Sequence, residues 1–110
     1  MRQTLLEEDS PNNNEMPNFW VYILYCNNGA LYTGYTKDLI RRYQAHLAGA
    51  AAKYTRSFPP LSLLQAWPIF GSKAEAMQIE RFIKKLSNKE KKEIINKPET
   101  LEKMLFNSLE

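Results

Sequence analysis

Apolar and aromatic residues occur along this chain in short runs whose spacing changes from one run to the next. Residues 19–25 carry apolar side chains on both faces of an extended chain, which predicts a strand covered on both sides. Asn27, Asn28 and Gly29 predict a hairpin turn, and residues 30–35 predict the returning strand. Residues 1–18 are polar and turn-forming without any period, which predicts a disordered leader.

A helical period follows the hairpin. Thr36 is placed to cap this helix, Asp38 lies in its predicted first turn, and Gly49 ends it. The apolar stripe of the helix is predicted to contain Leu39, Ile40, Tyr43 and Leu47. Residues 50–60 predict a loop, and residues 61–67 predict a third strand.

Two capping sequences begin helices in the second half of the chain. Ser72 and Glu75 open a helix to residue 86, and Ser87 and Glu90 open a short lysine-rich helix to about residue 96. The core-facing residues of the first are predicted to be Ala76, Ile79, Ile83 and Leu86. Pro98 suits the first turn of a last helix. The apolar side of that last helix would consist of Leu101, Met104, Leu105 and Leu109.

This order of elements predicts an α+β fold. Its centre is a small three-stranded antiparallel sheet flanked by helices in the order β-β-α-β-α, with two extra helices at the C-terminus. The predicted division is a leader at residues 1–18, a domain at residues 19–96, and a C-terminal helix at residues 97–110 that packs on that domain.

Composition narrows the class of protein. A length of 110 residues favours one domain, and a hydrophobic share of 44% is that of a folded protein. No apolar run is long enough for a transmembrane helix, and the acidic start of the chain is unlike a secretory signal. One cysteine excludes an internal disulfide and favours a reducing, cytoplasmic location. The lone cysteine and lone histidine argue against a zinc site.

Charge is distributed unevenly along the chain. Residues 1–16 hold one base and four acids, whereas residues 17–110 hold 14 bases and eight acids and so carry a net charge of +6. A basic body of this size suits an anionic partner such as nucleic acid. A merely soluble surface explains the charge equally well.

Three groups of polar or aromatic residues stand where chemistry is possible. Arg42 and His46 are four residues apart and share one face of a helix, although a solvated arginine beside a buried histidine gives the same pattern. Glu80 lies at the border of an apolar stripe, where it either holds a cation or pairs with Lys84 one turn later. Tyr22 and Tyr32, taken singly, are ordinary strand aromatics.

Taken together, these residues belong to a known pattern. Residues 20–24, then Leu31-Tyr32-Thr33-Gly34, then residues 37–46, resemble the opening of a GIY-YIG nuclease domain. Lys53-Tyr54-Thr55-Arg56 and residues 80–86 extend the resemblance, in particular to the short, stand-alone bacterial branch of that family. The resemblance covers residues 19–86.

The resemblance implies which residues form the site. The implied catalytic residues are Tyr22, Tyr32, Arg42, His46 and Glu80. Glu80 matches the family glutamate that binds one divalent metal ion, usually Mg²⁺, and Gly34 matches the motif glycine. Val21 and Thr33 replace motif residues, as the short branch tolerates. The asparagine that many family nucleases use late in the domain has only loose counterparts in Asn88 and Asn96.

The implied function is metal-dependent hydrolysis of phosphodiester bonds in DNA, in a setting of repair or recombination of branched or damaged DNA. RNA is the alternative nucleic acid, and a partner protein is a possible source of specificity. The residues expected to contact nucleic acid are Lys37, Arg41, Lys53, Tyr54 and Arg56. Two other functions stay open: a nucleic-acid-binding module that keeps the fold but cleaves little, and a protein-interaction domain that docks through its last helix.

The length of the hairpin loop decides whether the two tyrosines can share a site. A two-residue turn would pair Tyr22 with Tyr35 and place Tyr22 and Tyr32 on opposite faces. A three-residue loop pairs Tyr22 with Gly34, so that Tyr22 and Tyr32 become diagonal neighbours on one face. The nuclease hypothesis therefore predicts a loop of odd length. The chemistry does not decide which of the two tyrosines is the general base.

Overall fold

Three strands form one sheet in the computed structural model, which describes residues 16–109. The strands are β1 (Phe19–Cys26), β2 (Leu31–Thr36) and β3 (Pro60–Ile69), and they lie in the order β2-β1-β3. Both β2 and β3 run antiparallel to β1. The α+β class and the three-stranded antiparallel sheet are therefore confirmed. The predicted leader, apart from its last three residues, lies outside the described residues.

Five helices accompany the sheet. They are α1 (Leu39–Leu47), α2 (Lys53–Ser57), α3 (Lys73–Lys84), α4 (Asn88–Asn96) and α5 (Thr100–Ser108). The short helix α2 lies where the sequence predicted only a loop, so that prediction was wrong. None of the helices in residues 16–109 is long and apolar enough to cross a membrane.

The central strand β1 is buried from both sides, as its continuous apolar run predicted. Val21, Ile23 and Leu24 have no exposed surface, and Tyr22 is nearly as buried. Because side chains alternate along a strand, Val21 and Ile23 join the main core on one face while Tyr22 points to the other.

The outer strand β3 is longer than predicted. The sequence predicted a strand over residues 61–67, whereas β3 runs from Pro60 to Ile69. Pro60 and Pro68 are tolerated because β3 pairs with β1 on one side only, so its other edge needs no donors.

Two capping boxes fix where α3 and α4 begin. The Ser72 side chain accepts from the Glu75 backbone N–H at 3.1 Å, and the Glu75 carboxylate accepts from the Ser72 N–H at 2.7 Å. Ser87 and Glu90 make the same reciprocal pair. Both starts were predicted. Fixing the start of α3 also fixes which of its residues face the sheet, including Glu80.

The C-terminal helix contributes to the main core. Leu101 is fully buried, and Trp67 donates its indole N–H to the backbone oxygen of Pro98 at 2.9 Å. Pro98 lies just before α5 rather than in its first turn, and Leu109 is 82% exposed instead of facing the core. The predicted division at residue 97 stays a prediction.

Leu101→Ala should destabilise the fold by about 2–5 kcal/mol, because it removes a fully buried side chain and leaves a cavity. Urea unfolding monitored by tryptophan fluorescence measures the change. Leu109→Ala, at the C-cap of the same helix, is the control, and the loss of its exposed side chain should cost little. Equal effects of the two changes would contradict a core role for α5.

Candidate active site

The hairpin between β1 and β2 places two tyrosines on one face of the sheet. Tyr22 pairs with Gly34, and Leu24 pairs with Tyr32, so the two tyrosines are diagonal neighbours. The loop closes with Cys26 and Ala30 hydrogen-bonded at 2.9 Å and with Gly29 at φ 86°. The loop therefore has three residues, with Gly29 in the left-handed conformation, and the prediction of an odd loop is confirmed.

Gly34 lies directly under the ring of Tyr22. A Cβ atom added at Gly34 would lie 2.5 Å from Oη and 2.7 Å from Cζ of Tyr22, which is closer than Cβ atoms in proteins approach non-bonded neighbours. The absence of a side chain at this position is what lets the tyrosine ring lie across the neighbouring strand. This is the physical reason for a glycine here.

Helix α1 turns a polar residue, His46, towards the sheet. His46 is 1% exposed, whereas Ile40 and Leu47 are 71% and 52% exposed. The predicted apolar stripe was therefore wrong for Ile40 and Leu47, whereas its other two residues, Leu39 and Tyr43, are half-buried. The sheet surface under α1 carries tyrosine rings, so a ring that can also hydrogen-bond is buried there in place of an aliphatic side chain.

The cap of α1 also differs from its prediction. Asp38 is the N-cap, and its carboxylate accepts from the backbone N–H of Arg41 at 3.2 Å. Thr36, which was expected to cap the helix, instead accepts from the Asp38 N–H at 3.1 Å. Asp38 is favoured because an ionised carboxylate interacts well with the positive end of the helix dipole. Gly49, at φ 74°, ends the helix region as predicted.

Tyr22 and His46 form a buried hydrogen bond. Tyr22 Oη lies 2.7 Å from His46 Nε2. The edge of the imidazole also contacts the ring of Tyr32, with ring centres 5.2 Å apart and planes at 65°. One histidine therefore contacts both tyrosines.

Burial controls the charge of this pair. The pKa of His46 is lowered from its ordinary value of 6.5, first because burial disfavours the imidazolium and second because Arg42 repels it. The pKa of Tyr22 is raised well above 10, mainly because burial disfavours the phenolate, with a further rise from Tyr32. Both groups are therefore neutral at neutral pH.

A cavity of about 570 Å³ opens in front of Tyr22. Arg42 and Glu80 line it together with both tyrosines, so four of the five predicted catalytic residues face one cavity and His46 lies hydrogen-bonded behind Tyr22. The remaining lining residues are Phe19, Gly34, Tyr35, Thr36, Lys37, Asp38 and Lys73. The roles of the five residues in catalysis stay predictions.

Glu80 is the carboxylate that the resemblance assigns to a metal ion. Its side chain is 18% exposed and lies 3.4 Å from the Lys84 ammonium, the pairing that the sequence left open as an alternative. Among residues 16–109, no three His, Cys, Asp or Glu side chains come together as a metal-binding cluster. The Glu80 carboxylate on the wall of the cavity does fit Mg²⁺, which keeps several waters and needs only one or two protein carboxylates.

One of the residues expected to contact nucleic acid belongs to the lining of this cavity. Lys37 lines it, and Arg41, Lys53 and Arg56 are exposed. The ring of Tyr54 is stacked on that of Tyr32, with centres 6.0 Å apart and planes at 17°. Asn28 donates to the Tyr54 hydroxyl at 2.8 Å, which ties α2 to the hairpin loop.

The structure adds two residues that the sequence reasoning did not single out. Thr55 is fully buried, and its hydroxyl lies 2.7 Å from His46 Nδ1. Lys73 lines the cavity from the start of α3. The burial of Thr55 could not be predicted from the sequence, because a polar residue in a short segment belongs to no periodic pattern of buried positions. Asn88 and Asn96, the loose candidates for a late asparagine, line a different cavity beside Lys91 and Lys92.

Comparison with known families agrees with the geometry. The model of the GIY-YIG catalytic domain matches residues 18–93. The chain therefore belongs to the GIY-YIG family, and the resemblance noted from its motifs is confirmed.

Bacterial proteins of the group named UPF0213 are among its relatives. The UPF0213 protein BH0048 of Halalkalibacterium halodurans is 46% identical over 79 residues, which cover 72% of this chain and 83% of the relative. The UPF0213 protein FN1575 of Fusobacterium nucleatum is 36% identical over 89 residues, covering 81% and 88%. The solution NMR structure of the UPF0213 protein BH0048 from Bacillus halodurans has 45% identity, covers 71% of this chain and 82% of its own, and gives a TM-score of 0.45. These names state no substrate.

Gly34→Ala should destabilise the protein by about 1–3 kcal/mol, because the new methyl group collides with the ring of Tyr22. The control is the same change in a Tyr22→Ala background, where the ring is gone and the cost should nearly vanish. Urea unfolding of the four proteins gives this coupling as a double-mutant cycle. Additive effects would show that the Gly34 backbone and the Tyr22 ring do not constrain each other.

Proposed function

We propose that this protein is a metal-dependent endonuclease that hydrolyses phosphodiester bonds in DNA. One observation carries the proposal: Tyr22, at the wall of a cavity shared with Arg42 and Glu80, is hydrogen-bonded from behind to a neutral histidine. Membership of the GIY-YIG family supports a nuclease activity. Repair or recombination of branched or damaged DNA is the proposed setting, and RNA is the alternative substrate.

Tyr22 is proposed as the general base for the attacking water. Its oxygen receives a proton from water while its own proton passes to His46 Nε2, so the pair takes up one proton in total and His46 becomes imidazolium. The return of that proton restores the pair. Tyr22 suits this role better than Tyr32, because within residues 16–109 the hydrogen bond to His46 belongs to Tyr22.

Arg42 is proposed to stabilise the negative charge that develops on the phosphate. The fork of N–H donors on its guanidinium matches phosphate oxygens. Lys37 and Lys73 line the same cavity and add positive charge beside it. Arg41, Lys53 and Arg56, together with the exposed ring of Tyr54, are proposed to hold neighbouring nucleotides through phosphate contacts and stacking.

Glu80 is proposed to hold the divalent cation, which is Mg²⁺ by preference. When bound, such an ion supplies charge neutralisation to the phosphate and its leaving oxygen. The position of Glu80 on the wall shared with Tyr22 and Arg42 supports this assignment.

One observation favours a second candidate function, a nucleic-acid-binding module with little or no cleavage. The Lys84 ammonium lies 3.4 Å from the Glu80 carboxylate, so a cation would have to compete with a lysine already beside its ligand. The basic surroundings of the cavity would serve such a module equally well.

Glu80→Gln should lower magnesium-dependent cleavage about 100-fold or more, because it removes the charge that would hold the ion and with it several kcal/mol of transition-state stabilisation. Nicking of supercoiled plasmid and cleavage of branched DNA measure the loss, each with and without EDTA. Glu93→Gln is the matched control, since Glu93 is exposed on α4.

Cleavage that survives both EDTA and Glu80→Gln would refute the metal assignment. Salt-sensitive DNA binding without cleavage in the wild type would favour the second candidate. Wild-type protein that neither cleaves nor binds DNA would reject both candidates.

Activity should be lost at low pH. His46 must be neutral to accept a proton, so kcat/KM should fall as the pH drops through the lowered pKa of His46 and level off at higher pH. The raised pKa of Tyr22 predicts no loss from its own ionisation up to about pH 9. The measurement is kcat/KM from about pH 5 to about pH 9 at saturating magnesium, with DNA binding followed in parallel.

Tyr22→Phe and Tyr32→Phe separate the two tyrosines. Each keeps its ring and loses its hydroxyl. Residual activity of the Tyr22 variant should no longer follow the ionisation of His46, whereas the Tyr32 variant should keep the shape of the wild-type profile. The opposite result would assign the proton transfer to Tyr32.

A further inference from the structure

Thr55 is the one buried residue of a short exposed helix. Helix α2 has five residues, and the other four are exposed while Thr55 has no exposed surface. A buried hydroxyl is costly unless it is hydrogen-bonded, and valine would fill the same space without that cost. The hydroxyl of Thr55 therefore calls for an explanation beyond packing.

The hydroxyl of Thr55 has two hydrogen-bonding neighbours. Its Oγ1 lies 3.3 Å from the backbone oxygen of Ala52, which can only accept, and 2.7 Å from His46 Nδ1. A hydroxyl has one hydrogen. If it donates to Ala52, it must accept from His46, which then carries its proton on Nδ1.

The hydrogen bond at the other imidazole nitrogen, Nε2, agrees with a proton on Nδ1. With the proton on Nδ1, Nε2 is bare and accepts the Tyr22 hydroxyl at 2.7 Å. With the proton on Nε2 instead, the Tyr22 hydrogen would have no acceptor in the described part of the chain. One orientation satisfies every polar hydrogen along the line from Ala52 through Thr55 and His46 to Tyr22 by protein groups alone, without a water from the cavity.

We propose that Thr55 is a positioning residue that holds His46 in the tautomer protonated on Nδ1, so that Nε2 points its lone pair at the Tyr22 hydroxyl. This inference rests on the proposed function for its catalytic consequence. The second nitrogen of a catalytic histidine is commonly held by an orienting partner, and loss of that partner misaligns the proton acceptor. Helix α2 thus serves the site through a residue that never reaches the cavity.

The backbone between α1 and α2 supports the arrangement. Gly49 adopts φ 74°, and the N–H of Ala50 donates to the Ala45 oxygen at 2.8 Å, which turns the chain back at the end of α1. That turn brings α2 against α1, where Thr55 meets His46. The contact joins residues only nine apart, so a short segment sets it.

His46 is the only histidine of the chain, so its tautomer can be read directly. Protein labelled with ¹⁵N and freed of any histidine tag gives a single imidazole in a long-range ¹H–¹⁵N correlation spectrum. Above pH 7, the wild type should show a protonated Nδ1 and a bare Nε2. Thr55→Ser should preserve this pattern, and Thr55→Val, which keeps the shape but loses the hydroxyl, should shift it towards the Nε2-protonated form of free histidine.

Tyr22→Phe identifies which neighbour sets the tautomer. If Thr55 does, the variant keeps the proton on Nδ1 although Nε2 has lost its donor. A change of tautomer in Tyr22→Phe, an Nε2-protonated wild type, or an unchanged spectrum in a folded Thr55→Val protein would each overturn the proposal. If Thr55→Val does not fold, the wild-type, Thr55→Ser and Tyr22→Phe spectra still decide it.

Cleavage assays separate this inference from the nuclease proposal. Thr55→Val should lower kcat by about 10- to 100-fold, the range typical of losing an orienting hydrogen bond, and Thr55→Ser should restore most of it. A wild type that cleaves no DNA would reject the nuclease function, yet the tautomer spectra would still test the role of Thr55. Full activity in a Thr55→Val protein with an altered tautomer would show that the orientation of His46 has no catalytic consequence.

Discussion

The arrangement of the β1–β2 hairpin and of α1 depends on the buried hydrogen bond between Tyr22 and His46. This bond requires Tyr22 to lie flat across β2, which only a glycine at position 34 permits. It requires an odd hairpin loop, since a shift of one residue would replace Gly34 by Tyr35 opposite Tyr22. It also requires α1 to present its polar face to the sheet, and for this reason Ile40 is left exposed.

Burial gives this bond its chemical character. A tyrosine and a histidine in water would differ in pKa by several units and exchange protons with solvent. Here burial raises the pKa of Tyr22 and lowers that of His46, so both groups are neutral at neutral pH. Arg42 opposes the first effect and reinforces the second, because a nearby positive charge favours phenolate and disfavours imidazolium.

The parts of this fold that the sequence predicted are those set by local rules. The hairpin register follows from three loop residues with Gly29 in a left-handed position, and the start of α3 follows from the Ser72 and Glu75 capping box. The inward face of α1 was not predictable in this way. Counting apolar spacing assumes that a helix buries its most apolar side, and it fails where the surface underneath is made of hydroxyl-bearing rings.

The candidate site residues likewise differ in whether the sequence alone could identify them. Tyr22, Tyr32, Arg42 and Glu80 were identified by their place in a motif, and the structure brings them to one cavity. Thr55 lies in the segment Lys53-Tyr54-Thr55-Arg56, which also belongs to the family resemblance. Its contact with His46 depends on α2, a helix of five residues that is too short to show a periodic pattern. Threonine in a polar segment is usually exposed, so only the three-dimensional contact reveals that its hydroxyl has a buried partner.

The direction of the pKa shifts limits how a site of this kind can work. A tyrosine whose pKa lies above that of free phenol cannot store the phenolate form, so Tyr22 can act as a base only while it gives its own proton away in the same step. The basicity that drives the reaction is then that of His46, and burial has lowered it. A weak acceptor is effective only when it is already aligned, because no energy remains for reorienting the ring during the reaction. In this molecule the alignment is provided by hydrogen bonds at both imidazole nitrogens, one from each side of the ring.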